Sequence, residues 1–264
     1  MRLVSVRLVA PLLVICSLLS GCERRVERLT VSAAADLTDA FGEIGKLYTA
    51  QTGVEVSFNF GSTGQLAQQI EQGAPVDIFA AASVEYLDDL ERKGRLVPGS
   101  RRRYGTGRLV IWSRLDRGLR IESLADLRQS AIKRIAIANP EHAPYGIAAR
   151  EALVSAGLWD ELSPRLVMGE NVRQTLRYAE SGDVDAALVA LSLCHRPNQD
   201  PTQAGQIRLI PAEAHRPLIQ EMAIVTGTTQ LERARQFNEL VMSEAGREIL
   251  IRYGFSVSGA ESRR

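Results

Sequence analysis

The sequence predicts an α/β fold in two lobes, each a mainly parallel sheet flanked by helices, joined by two hinge strands. Three observations predict it. From residue 29 onward, apolar runs of strand length alternate with helix-length periods, the pattern of parallel strands with crossover helices. Two segments, Pro98–Gly107 and Pro211–Val225, break that alternation with glycines, prolines and polar residues. Two further helical stretches follow the second break, which implies that the C-terminal segment returns to the first lobe.

The first 22 residues stand apart. Arg2 and Arg7 precede "LVAPLLVICSLLSGC", an apolar run too short to span a bilayer comfortably. It ends in Leu19-Ser20-Gly21-Cys22, which resembles a bacterial lipobox. Residues 1–22 are therefore expected to be a lipoprotein signal peptide. Cys22 then carries the lipid and tethers the exported chain to a membrane at its periplasmic or cell-surface face, since several acyl chains anchor far better than one. The alternative is an ordinary secretory signal with a chance cysteine.

Composition narrows the classes. Hydrophobic residues make up 45% and charged residues 24%, ordinary for a folded soluble protein. The formal net charge falls from +1 to −1 when Arg2 and Arg7 leave with the leader, so no basic field for nucleic acid is expected. Cys16 leaves with the leader and Cys22 takes the lipid, so Cys194 is the one cysteine left over. That excludes a disulfide framework, and no Cys/His metal spacing exists. The mature chain must be held by core burial alone, and is expected to be a monomer.

In order along the chain, strand Leu29–Ala33 leads through Ala34-Ala35-Asp36 into a helical period over Leu37–Ala50. Strand Val54–Phe58 is followed by Gly61-Ser62-Thr63-Gly64 and a helix over Gln65–Gln72. Strand Asp77–Ala81 and helix Val84–Lys93 precede the boundary loop, whose Arg101-Arg102-Arg103 run reads as a solvated surface. Strands Leu109–Trp112 and Arg134–Ala138, helix Ile147–Ala156, helix Val172–Ser181 with Asn171 as its N-cap, and strand Asp185–Ala190 build the second lobe. Helices Gln230–Met242 and Glu244–Arg252 close the chain. Asp183 and Asp185 read as a turn and the start of a strand.

Three places share one local design: small residues in front of a helix start, at Ala34–Asp36, Gly61–Gly64 and Gly169–Val172. Free N–H groups and the helix dipole both favour negative charge there. Three such turns across both presumed lobes point to an anion held between them. The alanines are small so that it can approach the backbone.

The segments "VSAAADLTDAF", "FGSTGQLAQQIEQGAPVDIFAAAS", "NPEHAPYGIAAREALVSAGLWDELSPRL", "GENVRQTL" and "RYGF" resemble the periplasmic molybdate-binding proteins of ABC importers, in family order from about residue 31 to residue 255. The resemblance implies the two-lobed periplasmic-binding-protein fold, with lobe 1 over 23–106 plus 218–264 and lobe 2 over 107–217. It implies capture of molybdate or tungstate in the cleft, delivery to the membrane subunits of an ABC permease, no cofactor and no reaction. Position by position, the family's first binding serine falls at Asp36 and its second hydroxyl at Thr63, beside Ser62. The backbone contact after the third strand falls at Ala82 and the helix-start amide at Val172. A family tyrosine falls at Ala190, so that phenol is missing, and Tyr145 either reaches into the cleft instead or forms an aromatic lid.

Asp36 is the departure, because a carboxylate facing a dianion is costly in a desolvated cleft. The favoured expectation is that it caps its own helix at residues 38 and 39. The other is that it contacts the ligand, at its metal centre or as an acceptor. Two rival functions follow: binding of sulfate or phosphate, and a hydrolase using Ser62 or Cys194. The hydrolase is disfavoured because none of His142, His195 and His215 has a recognisable catalytic place beside either residue, and "GFSVSG" misplaces the second glycine of a nucleophile elbow.

Overall fold

The protein is described by a computed structural model over residues 28–195 and 205–257. The leader and Cys22 lie outside the described residues. The first half runs β1 (Arg28–Ala34), a 3-10 turn (Ala35–Leu37), α1 (Thr38–Thr52), β2 (Glu55–Gly61), α2 (Thr63–Glu71), β3 (Ile78–Ala81), α3 (Val84–Arg92) and β4 (Arg102–Gly107). There follow β5 (Leu109–Arg114), β6 (Ile135–Ala138), α4 (Pro144–Ser155), α5 (Trp159–Leu162), β7 (Leu166–Gly169), α6 (Val172–Glu180), β8 (Ala186–Ala190) and α7 (Leu191–Cys194). The last elements are β9 (Gly205–Leu209), β10 (Leu218–Ile224), α8 (Leu231–Met242) and α9 (Glu244–Arg252).

Two five-stranded sheets result, in the orders β2-β1-β3-β10-β4 and β7-β6-β8-β5-β9. These orders are one pattern used twice. In the first sheet β10 runs antiparallel to both its neighbours, and in the second β5 does, while the other strands share a direction. Each reversed strand lies just after a crossing between sheets. One crossing is almost continuous, since only Arg108 separates β4 from β5. The other runs from β9 through residues 210–217 into β10.

The central strands are closed in on both faces: Leu29, Val31 and Ala33 on one face of β1 and Ser32 and Ala34 on the other are buried, as parallel strands under helices must be. Expected elements shift modestly. Helix α1 runs on to Thr52, where Gly53 at φ 73° terminates it in the left-handed region. Helix α4 starts at Pro144 instead of Ile147, with proline in its first turn where no N–H is needed.

Larger differences fall at β4, β7 and β9. The boundary loop expected over Pro98–Gly107 becomes strand β4 from Arg102, because it pairs with β10 from Met222 back to Leu218. Arg101 also departs from the solvated reading. Its guanidinium bonds Glu221 (2.7 Å), Asp88 (2.7 Å) and Glu91 (2.8 Å). Asp185 accepts from the Lys133 and Arg134 amides, as a residue setting the start of a strand would.

The C-terminal helices dock on the first sheet. Phe237 of α8 packs edge-on against Tyr48 (5.5 Å between ring centres) and Phe41 (6.0 Å), and Phe41 lies 5.6 Å from Tyr104 of β4. This aromatic cluster fastens the returning segment to α1 and to a crossing strand. Truncating Phe237 to alanine should lower unfolding stability by about 3–5 kcal/mol. Urea unfolding should show it as a lower midpoint with an unchanged slope; a loss below about 1 kcal/mol would mean that α8 is held elsewhere.

Candidate functional site

The carboxyl ends of strands from both sheets meet across a cleft, the usual ligand position in open α/β sheets. A cavity of about 10 Å³ lies there, lined by Ala34, Ala35, Asp36, Gly61, Ser62, Thr63, Ala82, Ala143, Pro144, Tyr145, Asn171 and Val172. The six residues singled out from sequence, Asp36, Ser62, Thr63, Ala82, Tyr145 and Val172, are all in that wall. That is room for about one water, far below the roughly 300–1,000 Å³ of sites for drug-sized ligands, so only a small ligand suits it. Among the described residues no lysine or arginine lines it.

The helix starts leave specific donors. In α6 the Asn171 side chain accepts from the Arg173 (3.1 Å) and Gln174 (3.0 Å) amides, as the expected N-cap does. Its carbonyl accepts from Thr175 (3.0 Å), so the Val172 N–H is the donor of that turn left for the cavity. In α2 the Gly64 amide donates to His142 O (3.0 Å) and Leu66 to Ser62 O (3.0 Å), which leaves the Thr63 N–H. The Ala82 amide, expected as a ligand contact, donates to Thr63 Oγ1 at 3.2 Å. Because that oxygen is an acceptor there, the Thr63 hydroxyl proton remains to be donated.

Asp36 does not cap its helix. It sits inside the 3-10 turn, and neither that turn nor α1 has a side-chain cap. Its Oδ2 accepts from Gln220 Nε2 (2.7 Å) and from the Tyr145 hydroxyl (3.1 Å), while Oδ1 is buried with no hydrogen-bond partner. Gln220 is fixed in turn by the Tyr104 hydroxyl, 2.9 Å from its Oε1. The physical reason is burial: Asp36 is 1% exposed, and a hydrogen-bonding partner outweighs a solvent-facing cap. Burial pushes the Asp36 carboxyl up to about 6, against the hydrogen bonds from Gln220, Tyr145 and its own N–H. Burial, and then the Asp36 charge, holds the Tyr104 and Tyr145 phenols well above their ordinary value.

Tyr145 thus reaches into the cleft and is no outer lid. Ala190, where the resemblance expected a phenol, ends β8 fully buried. The Tyr145 hydroxyl comes from the first turn of α4 instead. Gly107 makes room for it, since a Cβ there would stand 2.1 Å from that hydroxyl.

The two halves also touch at the rim. Ser62 Oγ donates to His142 O at 2.6 Å, and His142 Nδ1 lies 2.8 Å from the same oxygen. Gln65 donates to Glu170 (2.9 Å), Arg173 pairs with Asp39 (3.0 Å), and Ser192 donates to the Asp36 carbonyl (2.8 Å). His142 therefore stands beside Ser62, which sequence reading did not foresee. The pair is not a nucleophile and its base, however. Ser62 has one proton and gives it to a carbonyl, so His142 must be the donor toward Ser62 Oγ. Cys194 donates to Ala190 O at 3.4 Å within the buried end of β8 and α7.

Sequence reading missed Gln220, Tyr104 and His142. Gln220 had a signal: it occupies an inward position of β10, between buried Leu218 and Met222. Tyr104 and His142 had none, because their roles depend on pairings made across the fold.

Two lobes of identical strand order, closed on a small cavity rimmed by helix starts, define a solute-binding protein of the periplasmic kind. The chain belongs to the family of bacterial extracellular solute-binding proteins, which it matches over residues 29–256. It is 30% identical over 224 residues to the molybdate-binding protein ModA of Rhodobacter capsulatus, covering 85% of this chain and 86% of that one. To the molybdate-binding protein ModA of Haemophilus influenzae it is 32% identical over 233 residues, covering 87% and 90%. The periplasmic molybdate-binding protein of Azotobacter vinelandii has the same fold, with a TM-score of 0.82 at 30% identity over 87% of this chain and 99% of that one. A family of binders places the function in capture, with no reaction to catalyse, and places the protein outside the cytoplasm.

A buried acid gives the ligand-free protein a pH signature. Asp36 ionises near 3.8 in the unfolded chain and at about 6 in the fold. The unfolded state therefore releases its proton first as pH rises. Stability from the neutral form is complete below 3.8 and is lost as pH climbs through about 6, in total on the order of 3 kcal/mol. Asp36→Asn, neutral at every pH, should raise the melting temperature of the ligand-free protein more at about pH 8 than at about pH 4. Equal shifts by calorimetry at both would show that Asp36 is not held in this environment.

Proposed function

We propose that this chain captures molybdate, or the nearly equal-sized tungstate, and delivers it to the membrane subunits of an ABC importer. The observation that carries the reading is the convergence of neutral donors from both halves on one small cavity with no basic side chain in its wall among the described residues. The Thr63 and Val172 amides and the Thr63 hydroxyl supply the donors. Preorganised dipoles in a closed, water-excluding site favour a dianion. Cavity size separates it from sulfate. The family and the named relatives support the same conclusion. The lobes over 23–106 plus 218–264 and 107–217 would then move about the two crossings, and Cys22 would tether the whole to the membrane.

A second reading has one observation in its favour. The unpartnered Asp36 Oδ1 could accept the proton of a protonated oxyanion such as phosphate. Thermal shift separates the two. Molybdate or tungstate at about 100 times its dissociation constant should stabilise by about 2.7 kcal/mol, with sulfate and phosphate much weaker at the same concentration. A larger shift with phosphate would replace the first reading by the second.

Val172→Pro is a sharper probe. Proline suits the first turn of a helix and removes only the N–H. It should weaken molybdate binding by about 1.5–3 kcal/mol while leaving the melting temperature of the ligand-free protein nearly unchanged. An unaltered dissociation constant by isothermal titration would place the anion elsewhere. For the anchor, Cys22→Ser should release the protein from the membrane fraction or block its maturation; unchanged fractionation would refute lipidation there.

A further inference from the structure

Among the described residues, one buried carboxyl group has a second oxygen that is unspoken for, and it lies in the wall of the cavity. Asp36 Oδ2 is saturated by Gln220 and Tyr145, and Oδ1 is enclosed without a partner. No positive group among the described residues compensates it. The groups that face it are Tyr145 of α4 and Tyr104 of β4, both phenols kept protonated. Glu221, the next residue along β10, is tied to Arg101. Arg173 of α6 is engaged with Asp39 of α1. His142 and Glu170 lie beyond the Ser62 side chain, at the rim.

Resting on the oxyanion reading above, we propose that Asp36 meets the anion as a neutral carboxylic acid, so that the ion is captured together with one proton held between Oδ1 and an anion oxygen. An ionised carboxylate and a dianion cannot share a desolvated cavity, as two carboxylates in contact cannot both ionise. Oδ1 has no donor to receive, so as a carboxylate it would be an unsatisfied buried charge, whereas as O–H it becomes a donor to the anion. The remaining oxygen stays the acceptor for Gln220 and Tyr145, so the network needs no rearrangement. Burial already moves Asp36 toward this state before any ligand arrives. The proton balance is simple: at a pH where the ligand-free carboxyl is ionised, binding takes one proton from solvent, and release returns it.

Asparagine reproduces the neutral acid in shape and polarity. Its carbonyl can accept from Gln220 and Tyr145, and its amide N–H₂ stands where O–H would. Asp36→Ser is the second variant, smaller but also a neutral donor.

The experiment is isothermal titration of wild type, Asp36→Asn and Asp36→Ser with molybdate between about pH 6.5 and about pH 8.5, in two buffers of different ionisation enthalpy. Wild type should take up about one proton per anion, and its dissociation constant should rise about tenfold per pH unit. Both variants should show no uptake and change by less than about twofold across the range, which also subtracts any titration of the anion itself. Tight binding by wild type with no proton uptake, or variants that keep the wild-type slope, would overturn this inference and leave the functional reading standing. No binding of molybdate, tungstate, sulfate or phosphate by wild type at either pH would overturn both.

Discussion

The hydrogen bonds that Gln220 and Tyr145 give to one oxygen of Asp36 tie together every part of the chain that matters to the cleft. Asp36 follows the first strand, Tyr145 opens a helix of the second lobe, Gln220 lies on the returning crossing, and Tyr104 on the outgoing crossing holds Gln220 in place. Four side chains thus read out the relative position of both lobes and both crossings. The arrangement needs an empty position at Gly107, where any side chain would drive the Tyr145 hydroxyl away. It also fixes which Asp36 oxygen is spent on partners inside the protein and which is left without one.

Around that network the division of labour is plain. The lobes contribute backbone dipoles and hydroxyls, not opposite charge. A basic side chain would bring a strong Coulomb attraction but a large desolvation cost whenever the cleft closes empty. Helix starts cost nothing extra to bury, because their orientation is set by the fold. The small side chains of Ala34 and Ala35 border the cavity with Gly61, and anything larger there would narrow it.

Much of this was legible in the sequence, and the reasons are physical. Strands buried on both faces carry continuous apolar runs, so β1, β3, β5, β6 and β8 stood out. The strands overlooked, β4, β7 and β9, all lie at sheet edges, where one side faces away from the core and polar residues such as Arg102 and Gln206 dilute the pattern. The cavity wall could be named because helix starts and small residues are local features. The fate of Asp36 could not, since its partners stand 109 and 184 residues away. Gln220 was the available clue: a polar residue facing inward on an apolar strand has a partner that must be found. His142 offered no clue, because only lobe closure brings it to Ser62.

That closure has a kinetic consequence. The Ser62–His142, Gln65–Glu170 and Asp39–Arg173 contacts join the lobes around the cavity, so an enclosed ion has no exit while they hold. Its residence time is then the waiting time for the clamshell to open, and bonds from the ion to both halves would lengthen that wait. Two anions of unequal affinity would differ mainly in how long they hold the lobes shut.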